Sequence, residues 1–168
     1  DTELFNPNKR DINSKDTQLT YVGRVAIEKN IEEFLKLKGN YNKIVVGDGP
    51  ELEKYINKYP EVNFVGVKTG EELAKYYANA DVFVFPSKTD TLGNVILEAL
   101  ASGTPVAAYP VTGPIDVLTD EKINTLDNDL LQSIKKALKV KRVDCRNFTL
   151  NLTWDKCVKE FLEYMVNV

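Results

Sequence analysis

The feature that most narrows what this chain can fold into is a regular alternation, from Gln18 onward, of short β-rich runs with amphipathic helical stretches. Strand followed by helix followed by strand is the signature of a parallel sheet with crossover helices. Five units are readable. Leu19 to Gly23 reads as a strand, and Asn30-Ile31-Glu32-Glu33 as a capping box opening a helix with Ile31, Phe34 and Leu35 on one face. Lys43 to Gly47 is a second strand, with Pro50 placed as a first helical residue ahead of Leu52, Tyr55 and Ile56. Val62 to Gly66 is a third, followed by a capping box at Thr69-Gly70-Glu71-Glu72 and a helix inward through Leu73, Tyr76 and Tyr77. Val82-Phe83-Val84-Phe85, ended by Pro86, has the unbroken apolar character of a central parallel strand. A polar loop, an apolar helix and Pro105 to Tyr109 as a fifth strand complete the series.

Beyond Pro114 the pattern weakens to a helix over Asp129 to Leu138 and a terminal amphipathic helix over Trp154 to Met165, with Cys157, Phe161 and Leu162 inward. The fold class expected is α/β, a Rossmann-like doubly wound parallel sheet with a C-terminal helix. Residues 1–17, rich in Asn, Asp and Lys, read as a tether, and residues 18–168 as the domain.

Composition removes several function classes. The 168 residues, 43% hydrophobic and 28% charged, suit one domain with a sizeable core. A net charge of -3 argues against nucleic acid as a partner. There is no histidine, which removes imidazole as base, metal ligand or triad member. The two cysteines, Cys145 and Cys157, have neither metal-site spacing nor disulfide-scaffold density, so a reducing, cytoplasmic setting is expected. No apolar run has the length of a membrane span, and Asp1 to Arg10 lacks the pattern of a signal peptide; peripheral association with a membrane surface stays open. Chemistry here must use carboxylates, cations and backbone groups.

Glu98 is the residue that most needs a reason. Its helix neighbours three and four positions away are Asn94, Val95, Ala101 and Ser102, so its own helix offers no cation. A carboxylate in an apolar helix either meets a basic side chain from another element or faces a cleft and accepts hydrogen bonds from ligand hydroxyls. In open parallel sheets ligands bind beyond the carboxyl ends of the strands. Arg24 and Lys29 lie in the loop after the first strand, on that edge; they are either solvated charges or a pair suited to an oligophosphate. Thr91-Leu92-Gly93 opens the Glu98 helix on the same edge, where free N–H groups and the helix dipole favour an anion and Gly93 admits close backbone approach. Glu98 is about five residues further on, roughly 7 Å along the axis, near the reach from a diphosphate to a ribose hydroxyl. Asp90 precedes the helix, where a sugar on the distal phosphate would sit.

Gly47-Asp48-Gly49-Pro50 is part of a dinucleotide-type fingerprint or simply a tight strand-to-helix turn. The tyrosines around the second and third helices read as core and rim packing, and Ser87 and Ser102 have no histidine to activate them. Asp127-Asn128-Asp129 reads as a helix cap rather than a metal motif.

These residues resemble the donor-binding half of GT-B glycosyltransferases, specifically glycosyltransferase family 4, the group related to sucrose synthase and bacterial mannosyltransferases. The resemblance runs from about Tyr21 to Leu118. Gly23-Arg24 with Glu28-Lys29-Asn30 is similar to that family's phosphate loop, in which the arginine and lysine hold the donor diphosphate. Gly47 to Pro50 is similar to its second glycine turn, and Phe64 to Lys68, with Val67 and Lys68, to the segment bordering the nucleobase. Asp90 to Glu98 resembles its paired-acid motif, in which the second acid binds the ribose and the first contacts the donor sugar; here the first is Asp90, where Glu is commoner. The resemblance implies a retaining, metal-independent hexosyltransferase with no cofactor beyond its nucleotide-diphosphate sugar, UDP- or GDP-linked. Asp1 to Pro7 is similar to the linker entering this domain and Trp154-Asp155 to the start of the last helix. An N-terminal domain that takes the acceptor, a sugar or a lipid, is then missing, and the isolated domain is expected to bind a sugar nucleotide weakly and transfer nothing. Two other readings use the same half-fold: a UDP-sugar 2-epimerase half, and a non-catalytic nucleotide-binding module in which Arg24 and Glu98 form a structural salt bridge. A cleft lined by Arg24, Lys29, Gly93 and Glu98 together would separate a binding site from such a closed pair.

Overall fold

The computed structural model describes residues 1–11, 16–89, 93–150, 152, 158, 159, 162, 163 and 165. Five parallel strands, β1 (Thr17–Val22), β2 (Tyr41–Val46), β3 (Asn63–Gly66), β4 (Val82–Phe85) and β5 (Val106–Ala108), form one sheet in the order β3-β2-β1-β4-β5. All five fall where the apolar runs place them, and the sheet is the doubly wound kind expected. Seven α-helices have both ends among the described residues, α1 (Ile31–Leu35), α2 (Leu52–Lys58), α3 (Gly70–Asn79), α4 (Asn94–Ala101), α5 (Thr112–Val117), α6 (Leu130–Ala137) and α7 (Arg142–Leu150), and the described residues 158, 159, 162, 163 and 165 are helical as well.

Strand side chains alternate between two cores because successive residues point to opposite faces. Leu19, Tyr21, Val45, Val82 and Val84 pack with Ile31, Phe34 and Leu35 of α1, Tyr55 of α2 and Leu130, Ile134 and Ala137 of α6. Phe83, Phe85, Val106 and Ala108 pack on the other face with Ala74 and Tyr77 of α3, Ile96, Ala99 and Leu100 of α4, and Cys145 of α7. The chain runs outward from β1 through β2 to β3, then returns to place β4 on the other side of β1. That reversal leaves a crevice beyond the carboxyl ends of β1 and β4.

Several local expectations are corrected. Residues 1–11 are not a loose tether: Phe5 is buried edge-on against Tyr77, and Arg10 donates to the carbonyls of Ala78, Asn79 and Ala80 and to Asp81. Apolar and cationic anchors spaced irregularly in a polar segment give no periodic signal. Neither capping box forms, since Asn30 adopts a left-handed conformation (φ 53°) and donates instead to the Pro86 carbonyl, 3.0 Å away, and Thr69 makes no cap bond. Helix α2 starts at Leu52, after Pro50. Asp129 does cap α6, accepting from the N–H groups of Leu131 and Gln132.

Helices α5 and α7 were not expected. Helix α7 packs Cys145 and Phe148 into the second core and is held in addition by two arginines. Arg142 donates to the carbonyls of Ala80 and Ala78 at 2.7 Å each and to Ser102 and Thr104, closing the end of α3. Arg146 does the same for Ala101 at the end of α4, and for Phe5 and Thr2. These bonds satisfy helix carbonyls that have no partner within their own helix. The terminal-helix reading rests mainly on residues outside those described, Trp154, Cys157 and Phe161 among them; Leu162, expected inward, is exposed.

Candidate functional site

A cleft of about 330 Å³ opens at the β1–β4 crevice, with Tyr21, Val22, Gly23, Arg24, Lys29, Phe85, Ser87, Gly93, Asn94 and Val95 as its described walls. Each wall comes from an element that ends or begins there. Arg24 and Lys29 belong to the loop leaving β1, Phe85 and Ser87 to the carboxyl end of β4, and Gly93 to Val95 to the start of α4. Two cations and the positive end of an eight-residue helix therefore converge on one space. Gly93, at the N-cap, has no side chain to cap the helix; the Ile96 N–H donates to the Gly93 carbonyl at 2.8 Å, and among the described residues the N–H groups of Asn94 and Val95 are those at the helix's positive end with capacity for an anion.

The loop after β1 is built rather than slack. Tyr21 donates to the Arg24 carbonyl at 2.8 Å, Val25 N–H to the Asp48 carbonyl at 2.8 Å, and Glu51 N–H to the Val25 carbonyl at 3.1 Å. Thr89 and Asn30 tie it to the segment after β4, through the Glu28 and Pro86 carbonyls. The Arg24 guanidinium is exposed and has a loose ion pair, 3.6 Å, with Glu28 in the same loop.

Gly47 and Gly49 support this loop from below. A Cβ on Gly47 (φ +141°) would come within 2.0 Å of the Gly23 carbonyl oxygen, and one on Gly49 within 2.3 Å of that of Val25. The glycine turn after β2 thus lets the two loops lie backbone to backbone, which accounts for both glycines without a ligand contact, and Gly47 is not among the cleft walls named. A side chain on Gly93 would likewise press on Ile96, 2.9 Å away.

Glu98 lies just outside the named walls, one turn of α4 beyond Asn94 and Val95. It is half-buried and its carboxyl accepts a hydrogen bond from the Tyr77 hydroxyl at 2.9 Å; among the described residues this is its one side-chain hydrogen bond, and neither a basic partner nor an Arg24–Glu98 bridge is formed. Burial pushes the Glu98 carboxyl above its ordinary range, and the Tyr77 bond pulls against that shift. Val67 stands exposed just past β3, and Lys68 pairs with Glu72 at 2.6 Å. Asp90, Thr91 and Leu92 lie outside the described residues.

The sequence reading did not pick out Tyr77 as the partner of Glu98, nor Ser87, Phe85 or Asn94 as cleft walls. A signal for Tyr77 existed, because the hydroxyl of an inward tyrosine must find an acceptor. For the wall residues there was none, as nothing in a strand's alternation says where its end will open.

The fold and the cleft define a doubly wound α/β domain with a cation-lined cleft at its topological switch point. The chain belongs to the family described as glycosyl transferases group 1, which it matches over residues 3–147. A GDP-mannose-dependent alpha-mannosyltransferase from Corynebacterium glutamicum is 36% identical over 141 residues, covering 78% of this chain and 34% of that protein. The sulfoquinovosyl transferase SQD2 of Arabidopsis thaliana is 36% identical over 140 residues, 73% of this chain and 27% of its own length. Sucrose-phosphate synthase from Thermosynechococcus elongatus superposes with a TM-score of 0.80 at 25% identity, over 100% of this chain and 51% of that one. The chain thus spans about a third of the curated relatives it matches and about half of that solved structure.

Proposed function

We propose that this chain is the donor-binding, C-terminal domain of a family 4 glycosyltransferase, and that its cleft takes a nucleoside-diphosphate sugar. The observation that carries the reading is the meeting of Arg24, Lys29 and the start of α4 in one cleft at the sheet's switch point. Arg24 and Lys29 hold the diphosphate, with the N–H groups of the α4 first turn. As the sugar leaves, these groups stabilise the negative charge that builds on the diphosphate, a role that preorganised donors and cations perform without a metal or further cofactor. Glu98, half-buried and already fixed through one oxygen, accepts the ribose hydroxyls. Val67 and Lys68 border the base, and Asp90 contacts the donor sugar. The named function of the Corynebacterium relative, dependence on GDP-mannose, supports a nucleotide-linked hexose as donor.

The whole enzyme transfers that hexose with retention to a sugar or lipid held by a second domain, which places it in the cytoplasm or at the inner surface of a membrane. Among the described residues no helix is long and apolar enough to cross one. Alone, the domain binds donor and transfers nothing. Titration calorimetry of the chain against UDP, GDP and ADP tests this, with an Arg24→Ala/Lys29→Ala variant as control. Selective binding of one nucleotide that the variant loses is the expected result; equal binding by the variant sinks the reading.

A further inference from the structure

Tyr77 belongs to the core, yet its hydroxyl does something a phenylalanine could not. The ring is fully buried and gripped edge-on by Phe5 at 5.7 Å and Phe83 at 5.5 Å, and its backbone carbonyl accepts a bond from the Thr104 hydroxyl at 2.6 Å. A side chain held in that way has one place to put its O–H, and that place is Oε2 of Glu98, 2.9 Å away across the α3–α4 contact. A carboxylate has two oxygens; a phenol supplies one proton. Oε1 therefore has no protein donor among the described residues, while the carboxylate plane is set by a buried, immobile group. Replacing Tyr77 by Phe would keep the packing and lose only that setting.

From this geometry we infer that Tyr77 is a positioning residue for ribose recognition, fixing one oxygen of Glu98 so that the other meets the nucleotide's ribose hydroxyls. The inference rests on the donor-site reading above. Ordering a carboxylate in advance lowers the entropy cost of binding a diol. Donation from the phenol also favours the ionised form, the better acceptor, against the burial that opposes it. Among the described residues, the titratable side chain acting on Glu98 is the Tyr77 phenol from α3.

The test compares the unaltered chain, Tyr77→Phe, Glu98→Gln and the double variant by calorimetry. The ligands are whichever of UDP, GDP and ADP binds most tightly and its dideoxyribose counterpart. Tyr77→Phe should weaken the ribonucleotide about five- to tenfold, the scale of one ordinary hydrogen bond, and leave the dideoxy compound unchanged. In the Glu98→Gln background Tyr77→Phe should add nothing beyond its small effect on stability. Carbon NMR of the Glu98 carboxyl should show it titrating at higher pH once the phenol is gone. Equal weakening of both ligands, or none, overturns the role given to Tyr77. An unaltered chain that binds no nucleotide overturns the donor-site reading beneath it, a result distinct from binding that ignores the ribose hydroxyls.

Discussion

Two groups of cations occupy opposite situations in this molecule. Arg142 and Arg146 on α7, with Arg10 from the N-terminal segment, are partly buried, and each donates to several backbone carbonyls at the ends of α3 and α4. Arg24 stands at the other kind of place, the carboxyl edge of the sheet, exposed and with a loose pair to Glu28. Lys29 shares its cleft wall. A guanidinium whose donors are saturated by carbonyls serves the fold. One held in position by its backbone, with its charge still facing a cleft, is available to an anion. The contrast teaches that partner and place, not residue type, separate an arginine that serves the fold from one available to a ligand.

The sharpest way to break this contrast is to remove an arginine from the first group. Arg142→Met removes its bonds to Ala78, Ala80, Ser102 and Thr104, leaving Arg10 as the remaining side-chain donor to the first two, and should cost about 2 kcal/mol of stability, seen as a clear fall in melting temperature. Nucleotide affinity per folded molecule should hold. Gly47→Ala probes the boundary between the two regions, since its Cβ would strike the Gly23 carbonyl; a loss of about 2 kcal/mol is expected, with weakened nucleotide binding as the β1 loop shifts. Were denaturation and calorimetry to show neither change, the support assigned to that turn would be wrong.

Arg24→Ala/Lys29→Ala should give the reverse pattern. Nucleoside diphosphate binding falls by about a hundredfold while the melting temperature moves little, because the exposed Arg24–Glu28 pair contributes little to stability. A variant that melts early would move Arg24 into the structural group. The smallest effect concerns Glu98. Its carboxyl is raised in the folded state, so the fold binds that proton more tightly than the unfolded chain does, and Glu98 weakens the fold as pH rises from the ordinary carboxyl value of 4.5 through its raised value. Glu98→Gln should therefore melt slightly higher than the unaltered chain at neutral pH, and the gap should close on acidification. A gap of the opposite sign in pH-resolved melting curves would contradict the cause assigned to the shift.

Much of the frame was legible along the chain. Val82 to Phe85 announces a central strand because four apolar residues before a proline suit little else, and Lys43 to Val46 and Val106 to Ala108 follow the same logic. Arg24, Lys29 and Gly93 could be placed on one edge because every strand-to-helix loop of a parallel sheet opens there. Helix α7 was not read, since its inward face is short, Cys145, Phe148 and Thr149, and arginines that bond to distant carbonyls leave no local signal. The two capping boxes were legible and did not form; Asn30 is held in a left-handed conformation, with its amide Nδ2 donating to the Pro86 carbonyl fifty-six residues away in sequence.

By itself the sequence determined the alternation of strand and helix, the two-faced core and the identity of the few polar groups able to do chemistry without histidine, because these follow from local periodicity and composition. Only the tertiary structure decided that Glu98 would be met by a phenol rather than a cation, that Gly47 would serve the loop above it, and that Phe5 would be part of the core. Those outcomes depend on which elements the sheet order brings side by side, and contacts between residues far apart along the chain leave no mark in the spacing of either one.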